Sequence, residues 1–364
     1  MKQFPSFAAA VIAACLSLAV SCCAPIAPGA RTDADTPILI MSWNVLSLFD
    51  PVDDGDEYAE YSVDRGTWSE AKYRARLDAL AEVILRAGDS GRRGPPGPDI
   101  LCLVEIEKKS ILDDLAKGPL ARCGYRHRAF AKAEGSAIGL GILSRLPLEG
   151  ARAWGLDLGG GRERPILEAR FSKSGQPFAV LVNHWKSKLE GAEVTEASRI
   201  ESARLLSRIV AEGKATSPGL VAIACGDFNE SPDEQARVGG RYPTAFMPAA
   251  ATVPGSVGLA GRGSLAAADV DNNEPIGSFI GFSPWDDSEG YSYSYRGNRE
   301  RIDGFVLSPE LLDGRGLDYL DFEVLDKGLV DDTGAPIPWS NSKASGWSDH
   351  LPILLEIVAR GAGS

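Results

Sequence analysis

The sequence predicts an α/β protein, because strongly apolar, strand-like runs alternate with a few segments of helical periodicity along its 364 residues. A chain of this length forms one large domain or two smaller ones. The polar residues in and after the apolar runs are spread over nearly the whole chain, which favours a single domain over residues 37–360. With 44% hydrophobic and 24% charged residues, the composition is that of an ordinary globular protein.

Five runs dominated by Ile, Leu, Val, Ala and Phe predict strands that are buried on both faces. They are ILIMSWN (38–44), DILCLVE (99–105), FAVLVNH (178–184), LVAIACGDFN (220–229) and RIDGFVLS (301–308). In the first four, a polar residue stands at or near the C-terminal end. Strand ends and the loops after them are where α/β proteins build their sites, so we expect these polar residues to lie together.

Two segments predict helices, since apolar residues recur in them at three- and four-residue intervals. The first covers residues 69–87, where Gly88 can end it, and the second covers residues 196–212, where Gly213 can end it. A Gly-, Ala- and Pro-rich stretch between residues 229 and 291 shows little periodicity. We interpret it as a long loop that helps to select the substrate, because long loops in compact domains are often functional.

The polar residues in and after the apolar runs are of the types that hold a divalent cation. Six of them offer oxygen ligands: Asn44, Glu105, Asp227, Asn229, Asp303 and Asp349. Such ligands suit Mg²⁺, Mn²⁺ or Ca²⁺, whereas zinc would require sulfur or several imidazoles. Two of the three histidines, His184 and His350, lie in the same strings, and imidazole moves protons near neutral pH. The combination fits hydrolysis of a phosphate ester, in which the metal neutralises charge and the protein orients a water.

The strings SWN, VEIE, NHW, GDFN, RIDG and SDH, taken in this order, resemble the endonuclease/exonuclease/phosphatase superfamily. The resemblance covers residues 37–358 and implies a four-layer sandwich of two packed, mainly antiparallel sheets flanked by helices. It also implies a divalent-metal-dependent phosphoric ester hydrolase. The superfamily includes deoxyribonucleases of the pancreatic type, sphingomyelinases and inositol polyphosphate phosphatases.

The resemblance assigns catalytic roles to five residues. His184 would contact the scissile phosphate and protonate the leaving oxygen, and Asp227 would position the attacking water or a metal. Asn229 would bind the phosphate. Asp303 would orient His350, which would act as a base or as a phosphate ligand.

The resemblance also implies a metal site and suggests substrate contacts. Asn44 and Glu105 would hold the divalent cation, expected to be Mg²⁺ or Mn²⁺, and Asp349 would assist. Lys186 and Arg301 lie next to the catalytic strings and are candidates for binding substrate phosphates. The acidic run at residues 50–60 could bind Ca²⁺, but it lacks the spacing of an EF-hand loop, which favours a solvated loop.

Departures from the motifs of particular members indicate which branch of the superfamily the chain resembles. Val104 stands where apurinic endonucleases usually carry Gln, and Glu230 follows Asn229 where inositol phosphatases usually carry a Tyr-Arg pair. The string NHWKSK (183–188) and the string LFD (48–50) resemble secreted or surface nuclease-like members from bacteria.

The net charge of −12 bears on the class of substrate. Proteins that bind nucleic acid through many phosphates are usually basic, and this chain has no basic stripe. We therefore expect a nuclease with few, local phosphate contacts. Two alternatives stay open: a phosphodiesterase or phosphatase acting on lipid headgroups or small phosphate esters, and a non-catalytic surface lipoprotein that binds ligands on the same fold. A binding module has no need of both imidazoles, and no protein partner is predicted.

The N-terminal residues predict export. Lys2 precedes an apolar segment at residues 8–20 that is too short to span a bilayer. Residues 1–22 are typical of a signal peptide of the lipoprotein type, processed at Cys22 or Cys23, and residues 23–36 would form a flexible tether. We expect a lipid anchor that holds the protein to the membrane at the cell envelope, in the periplasm or at the surface, with simple secretion as the alternative.

Overall fold

The computed structural model describes residues 36–88, 94–155, 164–267 and 277–360. The predicted signal peptide and all but the last residue of the predicted tether lie outside the described residues. The strands of the described part are β1 (Ile38–Leu48), β2 (Ile100–Ile106), β3 (His127–Ala131), β4 (Gly139–Ser144), β5 (Gly150–Trp154), β6 (Ile166–Lys173), β7 (Gln176–His184), β8 (Val221–Asp227), β9 (Phe246–Pro248), β10 (Val257–Leu259), β11 (Phe279–Gly281), β12 (Tyr293–Tyr295), β13 (Asn298–Glu300), β14 (Asp303–Leu307), β15 (Leu317–Val324) and β16 (Ile353–Ala359). Its helices are α1 (Glu70–Arg86), α2 (Lys109–Lys117), α3 (Ala192–Thr216), α4 (Glu234–Arg237) and α5 (Arg262–Ala267).

Two large sheets pack face to face. The six-stranded sheet has the order β15-β16-β1-β2-β4-β3, and the five-stranded sheet has the order β14-β8-β7-β6-β5. Each contains one parallel pair, β1 with β2 and β7 with β8, while the other neighbours are antiparallel. The predicted α/β sandwich of two mainly antiparallel sheets flanked by helices is therefore confirmed.

The central strands are apolar on both faces because both faces are covered. Along β1, Ile38 and Ile40 point into the core between the two sheets, whereas Leu39 and Met41 point into a second core under α1 and α2. A third core lies between the five-stranded sheet and α3. Three apolar layers between four structural layers explain why these strands show continuous rather than alternating hydrophobicity.

Both predicted helices are present, but the second extends beyond the predicted segment at both ends. The first begins after Ser69, whose Oγ accepts a hydrogen bond from the Lys72 backbone N–H at 3.3 Å. The second is longer than expected and contains Gly213 instead of ending there. This glycine serves close packing, because a Cβ at that position would lie 2.7 Å from Leu220 Cδ2.

The stretch predicted as a long loop is partly ordered into short elements. Strands β9, β10 and β11 form a parallel three-stranded sheet that packs with α3 on the outer face of the five-stranded sheet. Each strand is three residues long, too short to show a period in the sequence. No helix in the described part of the chain has the length and apolar character needed to cross a membrane.

Candidate active site

The predicted catalytic strings converge at one end of the two sheets. Because β1 runs parallel to β2, and β7 to β8, the carboxyl ends of each pair lie at the same edge. In the five-stranded sheet, Asp227 lies in register with both His184 and Asp303. A cavity of about 380 Å³ opens at this edge, and its lining includes six predicted site residues: Glu105, His184, Asp227, Asn229, Asp349 and His350.

Asn44 joins the carboxylates at the ends of β2 and β8. Its Nδ2 donates to Glu105 Oε1 at 3.1 Å and to Asp227 Oδ2 at 3.0 Å. Its Oδ1 accepts a hydrogen bond from the backbone N–H of Leu46 at 3.0 Å. Asn44 therefore holds the two carboxylates through its nitrogen, and its predicted role as a metal ligand through its oxygen stays a prediction.

Glu105 enters the cavity because the backbone departs from regular strand geometry. The register of β2 with β4 shifts between Val104 and Ile106, and Glu105 between them has a φ of 69°. A left-handed non-glycine residue costs on the order of 1–3 kcal/mol and marks functional sites. Ser47, also left-handed with a φ of 54°, donates from its N and its Oγ to Glu105 Oε2, both at 2.9 Å. Ser47 was missed by sequence reasoning, because nothing in the string predicts its backbone conformation.

The neighbours of His350 favour its cationic form. Burial alone would lower the pKa of this imidazole, but the carboxylates of Asp303 and Asp349 raise it well above its ordinary value. The Nδ1 atom lies 2.7 Å from Asp303 Oδ2, which fixes the ring orientation. The Tyr293 ring packs against the imidazole of His350, with ring centroids 4.6 Å apart. The predicted pairing of Asp303 with His350 is thus present in the structure.

The surroundings of His184 favour the opposite, neutral form of its imidazole. Burial lowers the pKa of this imidazole well below its ordinary value, and the positive charges of Arg164 and His350 lower it further. Its Nε2 lies 3.6 Å from Glu105 Oε1 and 3.7 Å from Asp227 Oδ2. The surroundings therefore favour the neutral form of His184 and the cationic form of His350.

Asp227 lies between the two imidazoles. Burial raises the pKa of its carboxyl group, and the negative charge of Asp303 raises it further, while His350 acts in the other direction. The distance from Asp227 Oδ2 to His350 Nε2 is 4.0 Å. Its Oδ1 accepts from the backbone N–H of Asn229 at 2.8 Å. The carboxyl group therefore binds a proton more readily than an exposed aspartate, as a group that exchanges protons near neutral pH must.

Two cationic side chains line the cavity, and both have protein partners. Arg164 donates from one terminal nitrogen to the Trp185 carbonyl at 2.6 Å. Lys188 pairs with Glu234 at 2.7 Å and with Glu300 at 3.2 Å. A guanidinium has five N–H donors, so Arg164 keeps donors for a ligand. Arg164 is the last residue of the string GRER (161–164), whose other members lie outside the described residues.

The two predicted substrate ligands are not part of the cavity lining. Lys186 is ion-paired with Glu190 at 2.6 Å. The Arg301 guanidinium lies over the Trp285 ring, and its Nε donates to the Gly290 carbonyl at 3.0 Å. Arg301 borders a separate depression beside Trp285. Closeness in sequence to a catalytic string did not predict the direction of either side chain.

Aromatic side chains form part of the wall. Tyr58, Tyr293 and Tyr295 all line the cavity, and Tyr58 and Tyr295 are 38% and 42% exposed. Tyr293 and Tyr295 lie on the same face of β12, as their alternation in the sequence indicates. In contrast, no described residue of the stretch 230–290 lines the cavity, so the prediction that this stretch selects the substrate gains no support from the lining.

The donors in the cavity fit a divalent cation of the hard type. Glu105 Oε1 and Asp227 Oδ2 accept from the same Asn44 nitrogen, which brings two carboxylate oxygens together. Within the described part of the chain, neither carboxylate is ion-paired with a lysine or arginine. Asp349 lines the same space. Carboxylate oxygens facing one cavity suit Mg²⁺ or Mn²⁺.

Two carboxylates of the acidic run at residues 50–60 are paired with one lysine of the protein. Lys108 Nζ lies 3.0 Å from Asp50 and 2.5 Å from Asp54. The carboxylates of Asp54, Glu57 and Glu107 lie close together, and Lys108 is also 3.4 Å from Glu107. This arrangement agrees with the interpretation of the run as a solvated acidic loop.

Comparisons with known proteins agree with this fold. A model of the Endonuclease/Exonuclease/phosphatase family matches residues 39–240. The fold is similar to truncated TDP2 from Caenorhabditis elegans, with a TM-score of 0.51 and 17% identity over 90% of this chain and 100% of that one. It is also similar to an endonuclease/exonuclease/phosphatase family protein from Bacteroides thetaiotaomicron, with a TM-score of 0.52 and 16% identity over 89% of this chain and 96% of that one.

A further solved structure with the same fold contains nucleic acid. It is TDP2 from D. rerio complexed with a single strand DNA product, with a TM-score of 0.50 and 16% identity over 89% of this chain and 99% of that one. At these identities the likeness shows the fold. No sequence among the curated proteins matches the chain.

Proposed function

The chain belongs to the endonuclease/exonuclease/phosphatase family and is a phosphoesterase of that family, and we propose that it is a divalent-metal-dependent phosphodiesterase that cleaves nucleic acid. The observation that carries the proposal is the pair of imidazoles in one cavity, whose Nε2 atoms lie 3.7 Å and 4.0 Å from Asp227 Oδ2 and whose surroundings favour the neutral form of one and the cationic form of the other. A site that only binds phosphate would not need two imidazoles in different protonation states beside a carboxylate of raised pKa.

The charges suggest a division of roles among the catalytic residues. His350, as an imidazolium, is suited to bind a phosphoryl oxygen or to donate a proton to the leaving oxygen. Of the two roles that the resemblance allowed, this favours phosphate ligand over base. Asp227, when ionised, can accept a proton from the attacking water. His184 is neutral and can donate one hydrogen bond to the phosphate.

Glu105 is the best-placed residue to hold a divalent cation, with Asp227 and Asp349 facing the same space. When bound, the cation would neutralise charge on the phosphoryl oxygens. Asn44 and Ser47 keep the Glu105 carboxylate in position by hydrogen bonds to both of its oxygens. At the other histidine, Asp303 favours the charged form of His350 and fixes the orientation of its ring.

Two features of the cavity favour a polynucleotide as the substrate. Exposed tyrosine rings at its mouth, Tyr58 and Tyr295, can stack on bases without regard to sequence. Arg164 lies beside His184 and keeps donors for a phosphate next to the scissile one. Few cations are available beyond it, so we expect a flexible single strand or strand end to be preferred to a long duplex.

One observation favours a second candidate, a small phosphodiester such as a lipid headgroup. The two lysines at or near the cavity, Lys186 and Lys188, are both ion-paired with glutamates. A small substrate needs no phosphate contacts outside the cavity, whereas a polynucleotide does.

The deciding experiment compares kcat/KM for a dinucleotide and for a long single-stranded oligonucleotide across a salt series. We expect the long substrate to be preferred, with a shallow salt slope equivalent to about two to four phosphate contacts. Equal values for both substrates, with no salt slope, would favour the small-ester candidate. No cleavage of either substrate with Mg²⁺ or Mn²⁺ present would refute the proposed activity.

We also propose that the protein is exported and lipid-anchored, on the basis of its N-terminal sequence. Processing at Cys22 or Cys23 would leave a lipidated cysteine at the mature N-terminus. Changing both cysteines to Ser should release the protein from membranes without changing its activity. Mass spectrometry that finds an unmodified mature N-terminus beyond Cys23 would contradict the anchor.

A further inference from the structure

Arg76 lies on α1, behind the six-stranded sheet and outside the cavity lining, yet it contacts two of the segments that build the site. Its side chain is fully buried, with 0% exposed. One terminal nitrogen donates to the Trp347 carbonyl, and the other donates to the carbonyl of Val45 and, at 3.4 Å, to that of Leu46. A single planar group thus connects the end of β1 to the segment before His350.

The first of these segments positions the Glu105 carboxylate. Leu46 and Ser47 are consecutive left-handed residues, with φ values of 55° and 54°. Such backbone is costly and persists only where its surroundings hold it. The hydrogen bonds from Arg76 to the Val45 and Leu46 carbonyls fix this turn, and the turn aims the Ser47 N–H and Oγ at Glu105 Oε2.

The second segment positions His350. Arg76 fixes the Trp347 carbonyl, and the next residue, Ser348, donates from its Oγ to the Asn44 carbonyl at 2.7 Å. The backbone N–H of His350 donates to Ser348 Oγ at 3.2 Å. The chain of contacts from Arg76 therefore ends at the imidazolium on one side and at the Glu105 carboxylate on the other.

Stability alone does not explain a buried arginine here. Burial lowers the pKa of Arg76 to about 10, so the group remains charged at neutral pH. Its Nε has no hydrogen-bond partner among the described residues, its terminal nitrogens donate to neutral carbonyls, and its guanidinium lies 5.0 Å from the centroid of the Trp339 ring. The negative charges of Asp349 and Glu105 favour its cationic form. A buried charge is nevertheless expensive, and a hydrophobic side chain of similar volume would usually be no less stable.

We propose that Arg76 is a positioning residue that sets the metal-binding and phosphate-binding halves of the site relative to each other. The inference rests on the proposed function, because it assigns Glu105 to the metal and His350 to the phosphate. A planar guanidinium can donate to three carbonyls in two directions, which an ammonium cannot reproduce with the same geometry. Arg76→Met keeps the volume and removes the donors, and Arg76→Lys keeps the charge.

The chain offers a matched control in Arg145, which is also largely buried. Its guanidinium donates to the carbonyls of Cys123, Pro96 and Gly97 and pairs with Asp99, none of which lines the cavity. Arg145→Met therefore removes a comparable set of hydrogen bonds from a purely structural location. Any change in stability from losing buried hydrogen bonds is therefore matched by Arg145→Met, whereas an effect on the site should follow only Arg76→Met.

Two measurements on the substrate-free protein test the inference. Hydrogen–deuterium exchange without metal should show that Arg76→Met increases exchange both at Leu46–Ser47 and at Ser348–His350, whereas Arg145→Met leaves both segments protected. Calorimetric titration with Mn²⁺ should show about 10–100-fold weaker binding in Arg76→Met, the scale for residues that orient metal ligands, and unchanged binding in Arg145→Met. Arg76→Lys should be intermediate in both.

Ser47→Ala provides a second route if Arg76→Met does not fold. It removes one of the two Ser47 hydrogen bonds to Glu105 and should weaken Mn²⁺ binding while leaving exchange at Ser348–His350 unchanged. A folded Arg76 variant with wild-type exchange in either segment, or with wild-type Mn²⁺ affinity, would overturn the inference. If the wild-type protein binds Mn²⁺ but cleaves no phosphodiester, the proposed function fails while the Arg76 inference is still judged by exchange and titration.

Discussion

Replacing Asp303 with Asn should lower the pKa of His350 and leave its ring in place. The 2.7 Å contact between Asp303 Oδ2 and His350 Nδ1 is the shortest of the carboxylate contacts that hold the imidazolium. A hydrogen bond to a charged partner contributes about 1.5–3 kcal/mol. Since 1.36 kcal/mol corresponds to one pKa unit, the pKa of His350 should fall by about one to two units.

This fall in the pKa of His350 should change how both stability and activity depend on pH. A histidine whose folded-state pKa is raised contributes stability that is fully present below the unfolded pKa of about 6.5 and is lost as pH rises through the folded pKa. Asp303→Asn should therefore destabilise the protein more at pH 6 than at alkaline pH. The alkaline limit of activity should move to lower pH by the same one to two units, because His350 must be protonated to bind or protonate the phosphate.

The assay is an NMR titration of the imidazole signals in metal-free protein, which is practicable because the chain contains three histidines. The matched control is Asp318→Asn, the same chemical change at a carboxylate that pairs with Arg360 at 3.1 Å, far from the cavity. It should leave all three titrations unchanged. An ordinary pKa for His350 in the wild-type protein, or an unchanged one in Asp303→Asn, would refute the reasoning.

Three further predictions follow from the same geometry. Glu105→Gln should raise the Mg²⁺ concentration needed for half-maximal activity, because it removes a ligand charge; an unchanged requirement would exclude Glu105 as a ligand. Arg164→Met should lower kcat/KM about 10–100-fold through loss of a charge-assisted phosphate contact, and NMR should show a higher pKa for His184. Burial raises the pKa of Glu107 to about 7, so its contribution to stability is present below pH about 4.3 and is lost as pH rises through 7. Glu107→Gln should therefore stabilise the protein more at pH 8 than at pH 4, by up to about 4 kcal/mol. Denaturant unfolding of both proteins at the two pH values measures this difference, and its absence would contradict the prediction.

The parts of the site that local sequence encodes could be predicted. An apolar run that ends in His184 or Asp227 indicates both the buried strand and the polar residue at its end, because the apolar pattern and the strand length are local properties. The pairing of Asp303 with His350 depends on contacts between distant segments, and only the resemblance to the family supplied it. The structure then showed the same pair at 2.7 Å.

Other features depend on backbone detail that a residue pattern does not encode. The bulge that directs Glu105 into the cavity and the left-handed turn at Ser47 arise from tertiary contacts, among them those of Arg76. The direction of Arg301 is set by Trp285 and Gly290, which lie in the stretch predicted as a loop. Very short strands and side-chain directions leave no periodic pattern in the sequence, so they could not be predicted from it.

The most direct test of the central claim is the rate of phosphodiester cleavage by Asp227→Asn with saturating Mg²⁺. Asp227 lies 3.7 Å from His184 and 4.0 Å from His350, so it is common to both halves of the proposed chemistry. With the fold verified by thermal unfolding, the rate should fall about 10²–10⁴-fold, the scale for losing a proton-transfer group. A folded Asp227→Asn protein that cleaves at the wild-type rate would contradict the assignment of this cavity as the catalytic site.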